Sequence, residues 1–126
     1  MQKLKLMIVD DSMLMRRKIS RSYDASHYDL VAIASNGHEA INSFSTHKPH
    51  IVTMDLTMPE LDGIDCIKQL MNIDPQVKIL VVSAISDEAT GIKALEQGAS
   101  GFIIKPFSET QLSEALNIIC EDIHDA

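Results

Sequence analysis

At 126 residues the chain suits one domain with a hydrophobic core of its own. Its 45% hydrophobic and 23% charged residues are globular composition, and a formal net charge of −7 argues against a nucleic-acid surface. No run approaches the roughly 20 apolar residues that span a bilayer, and the N-terminus lacks a signal-peptide core, so a cytoplasmic setting without membrane insertion is expected.

In chain order, Lys5 to Val9 reads as a first strand that stops at Asp10-Asp11. Ser12 can cap a helix through about Tyr23, with Met15, Ile19 and Tyr23 on one face. Arg16-Arg17-Lys18 within it reads as a solvated helix face. Leu30 to Ala34 is a second strand. Asn36-Gly37 turns the chain into a helix that carries Ala40, Ile41 and Phe44 inward, and Pro49 ends that connection. His50 to Asp55 is a third strand, apolar enough at Ile51, Val52 and Met54 to be buried on both faces.

Turn residues follow Asp55 at once: Pro59 and the Asp62-Gly63 pair place it where a strand spills into a loop. A third helix spans about 64 to 73, with Ile64, Ile67, Leu70 and Met71 apolar, closed by Asp74-Pro75. Lys78 to Ser83 is the fourth strand, rich in β-branched residues. A fourth helix runs from about Asp87 to Gln97 and stops at Gly98. Gly101 to Ile104 is a short fifth strand ending at Lys105-Pro106. The last helix, about Ser108 to Ile123, buries Leu112, Ala115, Leu116 and Ile119. Cys66 and Cys120 form no CxxC motif and read as two buried free thiols. The five histidines lack metal-ligand spacing, and the seven methionines read as core or turn residues.

Five strands alternating with five helices imply an α/β fold: a doubly wound parallel sheet covered on both faces, with right-handed crossovers. Chemistry in such sheets gathers at the carboxyl ends of the strands. The polar residues there are Asp10, Asp11, Asp55, Ser83 and Lys105. Singly each is unremarkable: Asp55 could mark a turn, and a strand-end Ser or a surface Lys is common. Together they carry weight. Three carboxylates at one edge repel one another and raise at least one pKa unless a cation sits among them. Oxygen ligands without Cys or His favour Mg²⁺, which takes one or two carboxylates plus phosphate oxygens. Lys105 and the Ser83 hydroxyl can donate to phosphoryl oxygens, leaving Asp55 free to act as nucleophile and form an acyl phosphate.

These residues carry a resemblance to a family. Ile8-Val9-Asp10-Asp11-Ser12, Met54-Asp55-Leu56-Thr57-Met58-Pro59-Glu60-Leu61-Asp62-Gly63, Val82-Ser83-Ala84 and Ile104-Lys105-Pro106-Phe107 resemble the motifs of response-regulator receiver domains of two-component signalling. The resemblance is especially to single-domain chemotaxis regulators of the CheY type, and it covers essentially residues 1–126. It implies a flavodoxin-like fold with strand order 2-1-3-4-5. It further implies that Asp10 and Asp11 ligate Mg²⁺ together with Asp55 and the backbone carbonyl of Thr57, and that Asp55 is the phosphorylated residue. Ser83 is the implied switch hydroxyl, Lys105 its charged partner, Phe102 the aromatic whose rotamer follows the switch, and Lys105-Pro106 a cis bond.

The function implied is phosphoryl transfer from a histidine kinase (CheA-like) to Asp55, without turnover as an enzyme. A population shift would then alter the face formed by about residues 87 to 119, which in chemotaxis regulators meets a flagellar motor switch protein. A monomer is expected, and with no sequence after Ala126, binding itself would be the output of a complete chain. Thr57 and Ile85 flank the path of the attacking water, where related proteins often carry Asn and Glu or Gln. Slow self-dephosphorylation and reliance on a separate phosphatase follow. The alternatives are a phosphorelay intermediate, or the receiver of a multidomain transcription factor or chemotaxis methylesterase. More remote are a haloacid-dehalogenase-like phosphatase, since Asp55-Leu56-Thr57 loosely resembles its nucleophile motif, and a degenerate scaffold receiver.

Overall fold

The computed structural model describes residues 3–56, 63–84 and 88–121. The elements alternate as β1 (Leu4–Val9), α1 (Met13–Ser22), β2 (Tyr28–Ala34), α2 (Gly37–His47), β3 (Ile51–Asp55), α3 (Gly63–Ile73), β4 (Lys78–Ala84), α4 (Glu88–Glu96), β5 (Gly101–Lys105) and α5 (Glu109–Ile119). All strand pairs are parallel, and the sheet order is β2-β1-β3-β4-β5, as the resemblance implies.

The central strands form where the sequence offers apolar residues at consecutive positions. Every residue of β3 is buried, as are Leu6 to Val9 of β1 and Ile79 to Ser83 of β4. Odd and even positions then feed two separate cores. Met7, Val9, Val52, Met54, Ile79 and Val81 pack against Phe44 of α2, Ile67 and Leu70 of α3 and Ala94 of α4. Leu6, Ile8, Ile51, Leu80 and Val82 pack against Ile19 of α1 and Leu112 and Leu116 of α5. Cys66 and Cys120 are buried and not joined in a disulfide, one in each core.

Local signals set the helix ends. The Ser12 hydroxyl accepts from Met15 N at 3.2 Å to open α1, and Asn36 Oδ1 accepts from Glu39 N at 2.9 Å to open α2. Ser108 and Gln111 form a reciprocal capping box on α5, with Gln111 N donating to Ser108 Oγ at 3.0 Å and Ser108 N to Gln111 Oε1 at 2.8 Å. Beyond α4 the chain reverses at Gly98, whose φ of 117° suits glycine.

The differences from the sequence reading lie at element ends. β2 begins at Tyr28, two residues early, because Tyr28 pairs with Leu4 and its buried ring sends its hydroxyl to Asn117 Oδ1 at 3.0 Å. α5 ends at Ile119 with Cys120 as its C-cap, and residues 122–126 lie outside the described set. Met7 and Met54 are core residues, but Met13 is well exposed because the first turn of α1 faces outward. No helix among the described residues is long and apolar enough to cross a membrane.

Candidate functional site

The chain leaves β1 for β2 on one side and returns to β3 on the other, so a crevice opens beyond the carboxyl ends of β1 and β3. Asp10 and Asp55 are delivered there. Both are buried, at 0% and 2% exposure, which is rare for acidic side chains without compensation. Asp11 is exposed at the mouth. One ligand oxygen from each of the three carboxylates lies within 4.8 Å of the others, the arrangement of a cation site.

Lys105 arrives from the far edge of the sheet, across β4. Its ammonium stands 3.7 Å from Asp10 Oδ2 and 4.0 Å from Asp55 Oδ1. Asp10 Oδ1 accepts from Ser12 N at 2.9 Å, while its buried Oδ2 makes no hydrogen bond among the described residues. Burial, chiefly, holds the Asp10 carboxyl above its ordinary value, and the Asp55 charge adds to this; the Ser12 amide and Lys105 pull it back. Asp11 is raised as well, first by desolvation, then by a carboxyl–carboxyl hydrogen bond with Asp55 and by the Asp55 charge. Crowding of like charge thus raises pKa values as the sequence implies, but loss of water outweighs it.

Ser83 is buried one position beyond the level of Asp55 on the neighbouring strand, for Asp55 pairs with Val82 and Ser83 with Ile104. Its hydroxyl donates to the Ala84 carbonyl at 3.3 Å, a long bond that is easily exchanged. Phe102 packs on the core shared with α4. A Cβ on Gly91 of α4 would meet the Phe102 ring at 3.4 Å, so the ring lies just beyond that helix position. The Lys105-Pro106 bond is cis. Thr57 and Ile85 lie outside the described residues, as do residues 58 to 62.

Two supports of the site were not evident in the sequence. Gly63 passes directly behind Asp55: a Cβ there would lie 2.6 Å from Leu56 Cα and 2.7 Å from the Asp55 carbonyl oxygen, so only glycine fits without a shift. The basic run of α1 is also more than a solvated face. Arg16 Nη1 donates to the Asp10 carbonyl at 2.8 Å, and Lys18 Nζ donates to the Phe107 carbonyl. In the sequence Asp62-Gly63 signals only a turn, and the partners of the basic run are invisible to local patterning.

The donor set fits Mg²⁺. It is all oxygen, partly buried and acidic, with one buried carboxylate oxygen, Asp10 Oδ2, that makes no hydrogen bond among the described residues. Among the described residues the cation-capable groups of His, Cys, Asp and Glu reduce to this cluster, which leaves the histidines out.

The profile of the response regulator receiver domain matches residues 6–117. The chain is 45% identical over 113 residues to the chemotaxis protein CheY of Thermotoga maritima, an alignment covering 90% of this chain and 94% of that protein. The response regulator domain of Thermotoga maritima CheB superposes with a TM-score of 0.85 at 31% identity, covering 98% of each chain. A chain of the CheX–CheY–BeF3–Mg²⁺ complex from Borrelia burgdorferi superposes with a TM-score of 0.83 at 28% identity, over 95% of this chain and 89% of that one. This chain belongs to the response regulator receiver domain family.

Proposed function

We propose that this receiver takes a phosphoryl group onto Asp55 from a histidine kinase of the CheA kind and thereby changes its affinity for a partner, such as a flagellar motor switch protein. The observation that carries the reading is the reach of one lysine: Lys105 Nζ lies within 4.0 Å of both Asp10 and Asp55, beside three carboxylates gathered within 4.8 Å. The similarity to CheY proteins supports the chemotaxis role.

In the transfer step an Asp55 carboxylate oxygen attacks phosphorus. The bond from phosphorus to the donor's nitrogen or oxygen breaks, and the donor leaves with the electron pair. Lys105 neutralises charge on the phosphoryl oxygens, and burial of Asp10 and Asp55 strengthens that interaction by excluding water. Asp10, Asp11 and Asp55, with the Thr57 carbonyl, would hold Mg²⁺, which when bound supplies further charge stabilisation to the transferred group. The similar chain from Borrelia burgdorferi belongs to a CheX–CheY complex with BeF3 and Mg²⁺, which is in keeping with Mg²⁺ as the ion.

Once phosphorylated, Asp55 gives the Ser83 hydroxyl a stronger acceptor than the Ala84 carbonyl. Ser83 and Phe102 lie on the α3/α4 side of the sheet, so a shift of Ser83 frees space toward which Phe102 turns. The surface that responds is already apolar: Ile92, Leu95, Ile104 and Ile118 are exposed, beside a groove of about 570 Å³ lined by Phe102, Pro106 and Ala115. We read the protein as a cytoplasmic monomer that does not act as a turnover enzyme. The receiver of a longer regulator, or a phosphorelay intermediate, is the alternative output. The test is affinity for a motor-switch fragment before and after phosphorylation: a rise supports the chemotaxis output, and no change refers the output elsewhere.

A further inference from the structure

We propose that Lys18 is a positioning residue for phosphoryl transfer at Asp55: it ties the segment that follows Lys105 to α1, and so sets how far the Lys105 ammonium reaches. The inference rests on the phosphoacceptor reading above.

Lys18 sits in the middle of α1, half-buried. Its ammonium donates to the Phe107 carbonyl and lies 4.4 Å from the centre of the Phe107 ring. Two kinds of attraction thus act on one residue, a charge-assisted hydrogen bond and a cation–π contact. Phe107 is itself 4% exposed and packs in the core shared with Ile19 and Leu112. It stands two residues beyond Lys105 and one before the Ser108 cap of α5. A hold on Phe107 therefore fixes the backbone from which Lys105 projects.

The margin for movement is small. At 3.7 and 4.0 Å the Lys105 ion pairs are near the limit of direct contact, so a small retreat of the β5 exit would loosen both. On its other side the same helix grips the exit of β1, through Arg16 and the Asp10 carbonyl. One helix thus holds both the acidic and the basic half of the site. A purely apolar residue at position 18 could still pack on the Phe107 ring but would lose the cation–π attraction and could not hold the carbonyl. That separates a positioning role from simple packing.

The test compares Lys18→Met, which keeps the unbranched stem and deletes the donor, with Lys18→Arg, which keeps donor and charge. In Mg²⁺ and saturating acetyl phosphate the Met variant is expected to take up phosphoryl groups about tenfold more slowly than the parent, as misplacement of a reacting group does. Its Mg²⁺ affinity, measured by calorimetry, should stay at the parental value. The Arg variant should recover to within about twofold, since it retains the charge and donors. Amide hydrogen exchange at Phe107 and Ser108 should rise in the Met variant and not in the Arg variant. A Met variant as fast as the parent, an Arg variant as slow as Met, or Mg²⁺ affinity falling in step with rate would each overturn the proposal. A parent that takes up no phosphoryl group overturns the phosphoacceptor reading and the role of Lys18 with it, while the exchange difference reads the tether by itself.

Discussion

The Lys105 ammonium stands 4.0 Å from Asp55 Oδ1, although a whole strand, β4, separates the strands that carry them. The lysine spans that width to face a buried carboxylate, and it approaches Asp10 on the way. Replacing it with Ala leaves the acidic cluster to supply all the charge control. Lys105→Ala is expected to slow phosphorylation by acetyl phosphate about hundredfold, the cost of removing one preorganised charge from such a site. Mg²⁺ binding should persist, because the ligand oxygens remain. Stopped-flow or mass-resolved kinetics beside calorimetry check both halves.

Return to the resting state depends on water reaching the acyl phosphate. We propose that Thr57, which has one hydroxyl, and Ile85, which has no polar group, occupy the positions beside that path, so spontaneous decay should be slow. Thr57→Asn or Ile85→Glu is expected to speed decay of the phosphorylated form by about tenfold, by orienting the attacking water. Following the loss of phosphoryl mass with time in Mg²⁺ decides it. Decay no faster than in the parent would count heavily against control of self-dephosphorylation by these two positions.

His50 links pH to stability at the opposite end of the sheet. Its Nδ1 accepts the Lys5 N–H at 2.9 Å, which requires an unprotonated nitrogen. Burial, and secondarily the charge of Lys5, hold its pKa below the ordinary 6.5, with Asp74 opposing. Above that ordinary value both folded and unfolded imidazoles are neutral and the contact contributes in full. As pH falls through the lowered folded value the contribution is lost, so acid weakens the fold. Because His50 is exposed and solvent screens the contact, between about pH 7.5 and about pH 5 the parent should lose roughly 0.5 kcal/mol or less beyond His50→Ala, the low end for one hydrogen bond. Urea midpoints of the two proteins at each pH measure the difference.

Thr53 lies in the middle of β3 at 1% exposure, and its hydroxyl makes no hydrogen bond among the described residues. Valine has nearly the same shape and no group to desolvate. Thr53→Val should stabilise the protein by about 1 kcal/mol, seen as a higher urea midpoint with an unchanged slope.

The sequence made most of this fold legible because its central strands are buried on both faces. Ile51 to Met54 and Ile79 to Val82 admit little but a strand, and the first polar residue after each marks a sheet edge. Asp10, Asp55, Ser83 and Lys105 could therefore be grouped before any distance was known. Tyr28 escaped that logic, since β2 is an edge strand with broken alternation and a register shift opposite Leu6 and Met7. Arg16 and Lys18 escaped it for a different reason. A basic run on a helix has the same local pattern whether it faces water or a loop 89 residues away, as Lys18 faces Phe107. Gly63 looked like a turn glycine, and only the packing behind Asp55 shows what its missing side chain allows.

The most direct measurement locates the phosphoryl group. Protein treated with acetyl phosphate and Mg²⁺ is reduced with borohydride, which converts an acyl phosphate to the corresponding alcohol, and the peptides are mapped by mass. Reduction confined to Asp55, dependent on Mg²⁺ and absent in Asp55→Asn, is the predicted result. Reduction at another carboxylate, or uptake undiminished in Asp55→Asn, would contradict the account.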